Sequence, residues 1–183
     1  GWKSVAVNLS DIAAMGATPH SILLALSLPQ IDHAWLKGFS QGLYDCCDQF
    51  GVRLIGGDTT QSPHLTLSVT ALGWVDTGLA VPRSGAQVGD LICVSGTVGD
   101  AAFGLKHLGH DLQKRLDYPT PRCALGAALK GLANSMIDVS DGLAQDLGHI
   151  LKASNVGAKL QLENLPLSTA LHALNDEQKW QYA

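Results

Sequence analysis

The longest apolar run in this chain, Ile22 to Leu28 with Ser27 inside it, covers seven residues and stops at Pro29. A membrane-spanning helix needs about 20 such residues. The run therefore reads as a buried strand, Ser21 to Leu28, and the chain is expected to be soluble. Across 183 residues, 46% hydrophobic and 15% charged, there is enough apolar surface to build a core, which excludes intrinsic disorder. Twelve Lys and Arg against sixteen Asp and Glu leave a net charge of −4. No basic field exists to hold a nucleic-acid backbone, so a general nucleic-acid binder is excluded too.

The remaining pattern mixes helices and strands. Val5, Ala6, Leu9, Ile12 and Ala13 recur at helical spacing between Lys3 and Met15, with Gly16 as the stop. Asp32 opens a helix through Trp35, Phe39, Leu43 and Phe50, ended by Gly51; Trp35, Phe39 and Tyr44 are expected in the core. Val52 to Ile55 reads as a short strand running into Gly56 and Gly57, and Leu65 to Val75 as a longer one. The turn-rich stretch Asp76 to Asp90 reads as a domain boundary, dividing the chain into 1–82 and 83–183. Beyond it come a strand Leu91 to Val94, a helix Ala101 to Leu108 capped by Asp100, a helix Thr120 to Gly131, an amphipathic helix Leu143 to Ala153 and a strand Ala158 to Leu162. Because strands and helices do not alternate strictly, the fold class is expected to be α+β rather than a doubly wound sheet.

Cys46, Cys47, Cys93 and Cys123 match neither a zinc spacing nor a disulfide framework, which suggests a reducing, cytoplasmic setting. The chain begins at Gly1 and carries no signal-peptide pattern, consistent with a piece of something longer. P-loop, GxGxxG, HExxH and GxSxG motifs are all absent. His107 and His110 have no carboxylate-rich motif beside them and read as surface residues; His149 is expected to pack or to bond a backbone carbonyl.

Of the sixteen acidic residues, all but Glu163 and Glu177 are Asp. The short Asp carboxylate suits helix caps, turns and hard-cation sites. Three Asp-bearing segments and one Arg stand out. In NLSDIAAMG, Asp11 is either a cap or solvated residue, or a metal ligand, since a carboxylate between Leu9 and Ile12 is costly if buried unpaired. In LIGGDTT, Gly57 and Asp58 make either a tight turn or a place where backbone N–H groups approach a phosphate while Asp58 binds its cation. In IDVSDGL, Asp138, Ser140 and Asp141 crowd ahead of a helix; Asp141 either caps it with Asp138 in an Asx-turn, or both hold a cation with Ser140 at a phosphate. Arg83, in PRSGAQVGD, is either solvated or clamps a nucleotide phosphate. SGTVGD, Ser95 to Asp100, reads mainly as a structural loop and secondarily as an anion-binding nest.

NLSDIAAMG, LIGGDTT, RSGAQVGD, VSGTVGD and DVSDGL, in this order and at these separations, closely resemble the bacterial thiamine-monophosphate kinase family. The flanks GWKSVAV and DLGHILKAS resemble it too. Individual pieces are shared with the wider aminoimidazole ribonucleotide synthetase-like superfamily, and the set as a whole favours the thiamine enzyme. The resemblance implies magnesium ligands at Asp11, Asp58, Asp138 and Asp141, and ATP contacts at Gly57, Asp58, Arg83 and Ser140. It further implies two α/β domains, the amino-terminal one pairing its strands across a homodimer into a β-barrel. The implied reaction moves the γ-phosphoryl group of ATP to thiamine monophosphate with several Mg2+ ions, giving thiamine diphosphate and ADP; it needs no general base, because the acceptor is already an ionised phosphate oxygen. The family's amino-terminal Gly-Asp-Asp motif and its carboxy-terminal Gly-Gly-Glu-Asp-Tyr segment have no counterpart here. Both domains are therefore expected to be incomplete, and the chain alone weak or inactive. The competing readings are another ATP-using superfamily member, of the aminoimidazole ribonucleotide synthetase or hydrogenase-maturation type, and a non-catalytic nucleotide-binding or dimerisation module.

Overall fold

The computed structural model describes residues 1–182. Its elements in order are α1 (Trp2–Ala14), β1 (Thr18–Leu28), α2 (His33–Phe50), β2 (Arg53–Gln61), β3 (Thr66–Trp74), α3 (Asp100–Lys106), α4 (Gln113–Asp117), α5 (Cys123–Ala128), α6 (Leu143–Ser154), α7 (Thr169–His172) and α8 (Asp176–Trp180), with a 3-10 turn at Leu162–Asn164. They form two compact units. Unit 1 holds Gly1–Ala80 together with Tyr118–Leu132, and unit 2 holds Val81–Asp117 and the chain from Ala133 onward. The first break thus falls between Ala80 and Val81, and the segment 118–132 packs with the amino-terminal half rather than with its sequence neighbours.

In unit 1, β1 is the central strand of a three-stranded sheet of order β2-β1-β3, parallel to β2 and antiparallel to β3. Period-two alternation sends Ile22 and Leu24 toward the helices, where Val5, Ala6 and Leu9 of α1 and Phe39, Leu43, Cys46 and Cys47 of α2 close the core. α1 ends as its apolar pattern does, with Gly16 at φ +70°. α2 is bounded at both ends by local chemistry: Asp32 Oδ1 accepts from the N–H of Ala34 at 2.9 Å and of Trp35 at 3.0 Å, and Gly51 takes the left-handed conformation at φ +65°. Trp35 and Phe39 stack, ring centroids 5.1 Å apart. Tyr44, expected in the core, is half exposed instead. The sheet leaves Leu23, Ile55, Leu67 and Leu72 exposed.

β1 starts earlier than expected, at Thr18, despite Pro19. At that end β1 pairs only with β3, and its pairing with β2 begins at Ser21, so the missing N–H of Pro19 breaks no ladder on the other side. β2 is longer than expected. It runs through Gly56, Gly57 and Asp58 to Gln61, with a register shift where Ile22 faces Leu54 and Leu23 faces Gly56. α5 is shorter than the expected Thr120–Gly131 helix, starting after Arg122. It sits tightly on α1: a Cβ on Gly126 would stand 2.1 Å from the Ala13 carbonyl oxygen. Trp2 joins this packing, its Nε1–H donating to the Pro119 carbonyl at 3.0 Å, with its ring beside those of Phe50 and Tyr118.

Unit 2 is built on Val98, Phe103, Leu143, Leu167 and Leu171. Among the described residues it has no strand; the expected strand Leu91–Val94 is irregular, the expected strand Ala158–Leu162 is irregular up to Leu162, which opens the 3-10 turn, and Leu91 is 89% exposed. An apolar tetrapeptide has no sheet edge to join there, and without a ladder it does not qualify as a strand. Nor does Asp100 cap α3. The cap position is Gly99, and Asp100 is buried in the first turn, where Oδ2 accepts from the Thr97 hydroxyl. The rings of His107 and His110, exposed as expected, pack on Phe103 with centroids 4.2 and 5.1 Å away. His149 is exposed rather than packed.

Candidate functional site

The seven residues singled out from sequence divide between the units. Asp11, Gly57 and Asp58 belong to unit 1; Arg83, Asp138, Ser140 and Asp141 belong to unit 2.

Asp11 lies in the third turn of α1, far from its cap at Gly1, so the capping role is excluded. The burial argument fails as well: Val5, Ala6, Leu9 and Ala13 turn inward, and Asp11 projects from the exposed face. Helical geometry decides this, because residues 9 and 13 share a face that residue 11 does not. Its carboxylate is open to solvent.

Gly57 and Asp58 stand on edge strand β2, not in a turn. The glycine is demanded by the sheet itself. Its φ of +145° is disfavoured for other residues, and a Cβ there would lie 1.8 Å from the Leu24 carbonyl oxygen. Asp58 faces Ala25 across the ladder, and its side chain is exposed. One carboxylate oxygen, Oδ1, accepts the Thr59 N–H at 2.8 Å, which fixes the side chain without occupying Oδ2.

Arg83 sits in a turn whose backbone is tied down on several sides. Its carbonyl accepts from the hydroxyls of Ser135 at 2.8 Å and Ser154 at 3.2 Å, and the N–H groups of Gly85 and Ala86 donate to Ser154 Oγ, each at 3.1 Å. Asp90 closes the same turn. It takes the Gln87 N–H at 2.8 Å and the Asn134 side-chain amide at 2.9 Å, and these bonds hold its carboxyl below the usual range. The Arg83 side chain is exposed and, among the described residues, in no ion pair.

Asp138, Ser140 and Asp141 share one loop. Asp141 does not cap α6: the cap position is Gly142, with no side-chain cap. Asp146, from the first turn of α6, reaches back instead. Its Oδ2 accepts the N–H groups of Ser140 at 2.8 Å and Asp141 at 3.1 Å, and Asp146 itself is only 2% exposed. The Ser140 and Asp141 side chains are left exposed, with Asp141 Oδ2 accepting a long 3.4 Å bond from Gln145. Asp138 is half-buried.

Asp146 belongs to none of the three Asp-bearing segments, yet it carries a legible signal. An acidic residue three positions after Leu143, on the apolar stripe of an amphipathic helix, is buried at a cost that only bonded partners offset. Here the partners are two loop amides.

Can these residues hold a cation? Mg2+ is bound through hard oxygens, with one or two protein carboxylates and the rest supplied by water and substrate phosphate. Exposed Asp11, Asp58 and Asp141 offer that kind of donor. Among the described residues no group of three or more His, Cys, Asp or Glu side chains is placed to hold a metal ion. Each of these carboxylates is the type of donor that a metal bound largely through water and phosphate takes, and no all-protein cage is formed among the described residues. An apolar cavity of about 490 Å3 between α2 and the sheet, lined by Leu26, Leu36, Phe39 and Tyr44 among others, includes none of the seven.

Comparison with known proteins places the chain among its relatives. Residues 1–75 match the model of the AIR synthase related protein, N-terminal domain. The chain is 51% identical over 181 residues to the thiamine-monophosphate kinase of Escherichia coli K12, an alignment covering 93% of this chain and 55% of that protein. The crystal structure of thiamine-monophosphate kinase from Stenotrophomonas maltophilia K279a superposes with a TM-score of 0.91 at 47% identity, over 97% of this chain and 61% of that one. The structure of AaThiL complexed with AMPPCP and TMP superposes with a TM-score of 0.89 at 31% identity, over 97% and 62%. The chain thus spans little more than half the length of the curated relatives it matches. Over nearly all of its own length the chain is similar to the bacterial thiamine-monophosphate kinases, and its residues 1–75 carry the AIR synthase related N-terminal pattern within an α+β fold.

Proposed function

We propose that this chain carries the ATP- and magnesium-binding part of a thiamine-phosphate kinase, which transfers the γ-phosphoryl group of ATP to thiamine monophosphate and releases thiamine diphosphate and ADP. The observation that carries this reading is the 51% identity to a thiamine-monophosphate kinase across 93% of the chain. The AMPPCP and TMP complex of the AaThiL neighbour supports it.

In the step proposed, a phosphate oxygen of thiamine monophosphate forms a bond to the γ-phosphorus as the bond to the β,γ-bridging oxygen breaks, and the electron pair leaves with ADP. Donor and acceptor are both anionic, so the protein's task is to position them and neutralise charge. Magnesium, when bound, supplies most of that neutralisation. Asp11, Asp58, Asp138 and Asp141 would hold it; Arg83 would clamp an ATP phosphate, Gly57 would admit the nucleotide close to the backbone, and Ser140 would donate to it. No residue is assigned as a base, and none is needed.

Two further parts of the proposal concern assembly and setting. The exposed Leu23, Ile55, Leu67 and Leu72, with the unpaired outer edges of β2 and β3, support a homodimer in which amino-terminal strands close into a barrel. Among the described residues no helix is long and apolar enough to cross a membrane. The free state of Cys46, Cys47, Cys93 and Cys123 supports a cytoplasmic setting.

The test is ADP release from the gene's full-length product with ATP, magnesium and either thiamine monophosphate or thiamine. Release with the monophosphate alone, falling at least about a hundredfold in Asp58→Asn, is the expected result. Silence with both acceptors removes the thiamine assignment.

A further inference from the structure

We propose that Asp146 and Ser154, at opposite ends of α6, are positioning residues that set the two ligand-bearing loops of unit 2 on one rigid helix. The inference rests on the assignment of Arg83, Ser140 and Asp141 to phosphate and magnesium, and it adds what holds them. At the amino-terminal end, the buried Asp146 carboxylate gathers the N–H groups of Ser140 and Asp141 onto a single oxygen. Eight residues later, Ser154 Oγ accepts the N–H groups of Gly85 and Ala86 and donates to the carbonyl of Arg83. At 1.5 Å per residue the two anchor points are separated by about 12 Å of helix.

Both anchors work on backbone and leave side chains alone. Ser140, Asp141 and Arg83 all have exposed side chains on loops whose main chain is bonded. Without its anchor, each loop would need to be ordered by the ligand itself, which weakens binding by the ordering entropy. Asp146 also takes the loop amides that an anion would otherwise bind. Two amides already committed to a buried carboxylate cannot cradle a phosphate. Phosphate contact on this loop therefore falls to side chains, and a cation held by Asp141 becomes the means by which the loop meets an anion.

The experiment uses the 183-residue chain, with amide hydrogen exchange and titration with Mg2+ and ATP both read by NMR. In Asp146→Ala the Ser140 and Asp141 amides should exchange at least about tenfold faster and Mg2+·ATP should bind more weakly, while the Gly85 and Ala86 amides keep their rates. Asp146→Asn, whose side-chain oxygen accepts the same two bonds, should restore both. Ser154→Ala should give the mirror result, with faster exchange at Gly85 and Ala86, weaker nucleotide binding and unchanged rates at Ser140 and Asp141. Exchange that rises uniformly through unit 2, or stays put at the named amides, overturns the proposal, as does faster loop exchange with unaltered binding. If the wild-type chain ignores Mg2+·ATP while the amides respond as expected, the assignment of the ligands is what fails, and the functional half of this inference goes with it.

Discussion

The adjacent thiols of Cys46 and Cys47 show how a residue's surroundings, not its type, set its reactivity. Both are buried in the core of unit 1, at 0% and 2% exposure. Burial pushes the Cys46 thiol up to about 12, and the neighbouring Cys47 and Cys123 thiols add to the shift; burial raises Cys47 as well. Thiolate is the reactive form, so both are inert in the folded chain. We expect iodoacetamide at pH 8 to label exposed Cys93 and spare Cys46 and Cys47, a pattern read by peptide mass mapping; labelling of all at one rate would refute the burial. The pH dependence has a definite sign. The unfolded thiol titrates at its ordinary value of 9.0 and the folded one near 12, so the unfolded state alone loses its proton in that window. Stability contributed by this group is complete below pH 9 and falls as pH rises from there toward 12.

At the scale of elements, strand β2 explains why a motif that reads as a loop is part of a sheet. Gly57 meets the Leu24 backbone so closely that only hydrogen fits, and its φ is outside what side chains tolerate. Gly57→Ala is expected to cost about 1–3 kcal/mol or more, with a lowered urea midpoint for unit 1. An unchanged midpoint would mean that β2 does not pair with β1 in this register. The proposed phosphate contact and the structural need therefore coincide at this glycine, and loss of activity in such a variant would not by itself prove a phosphate contact. Asp58, one residue on, separates the two, because its side chain is exposed and contributes little to the fold. At α6 the overlap has a different form. The apolar stripe of the helix builds the core through Leu143, while Asp146 on the same stripe secures the loop before it.

For the molecule as a whole, the proposed ligands are distributed over two units, and among the described residues no group of three or more His, Cys, Asp or Glu side chains is placed to hold a cation. The net charge of −4 adds no general attraction for phosphates. Binding must come from local donors, and weak local donors need many partners. The purified 183-residue chain should therefore turn over thiamine monophosphate far more slowly than the Escherichia coli K12 relative, of which it spans 55%. ADP release at a rate equal to that relative would contradict this view.

What the sequence determined by itself is the set of elements with strong internal signals. α1, α2 and α6 were legible because a period of 3.6 and a glycine stop, or an Asp cap, are properties of the local chain. So was the core strand β1, and so were the loops bearing Arg83, Asp138, Ser140 and Asp141. The tertiary structure alone decided the rest. Whether Val52 to Ile55 stopped or ran on to Gln61 depended on β1 lying alongside, and whether Leu91 to Val94 became a strand depended on a ladder that is not there. Asp11 lost its buried reading because the helix turned it outward, and Asp146 gained its role because two amides of a preceding loop fold back onto it. Strands and buried carboxylates share one physical reason for this. Their hydrogen bonds are made to partners elsewhere in space, so their energies cannot be read from neighbours in sequence.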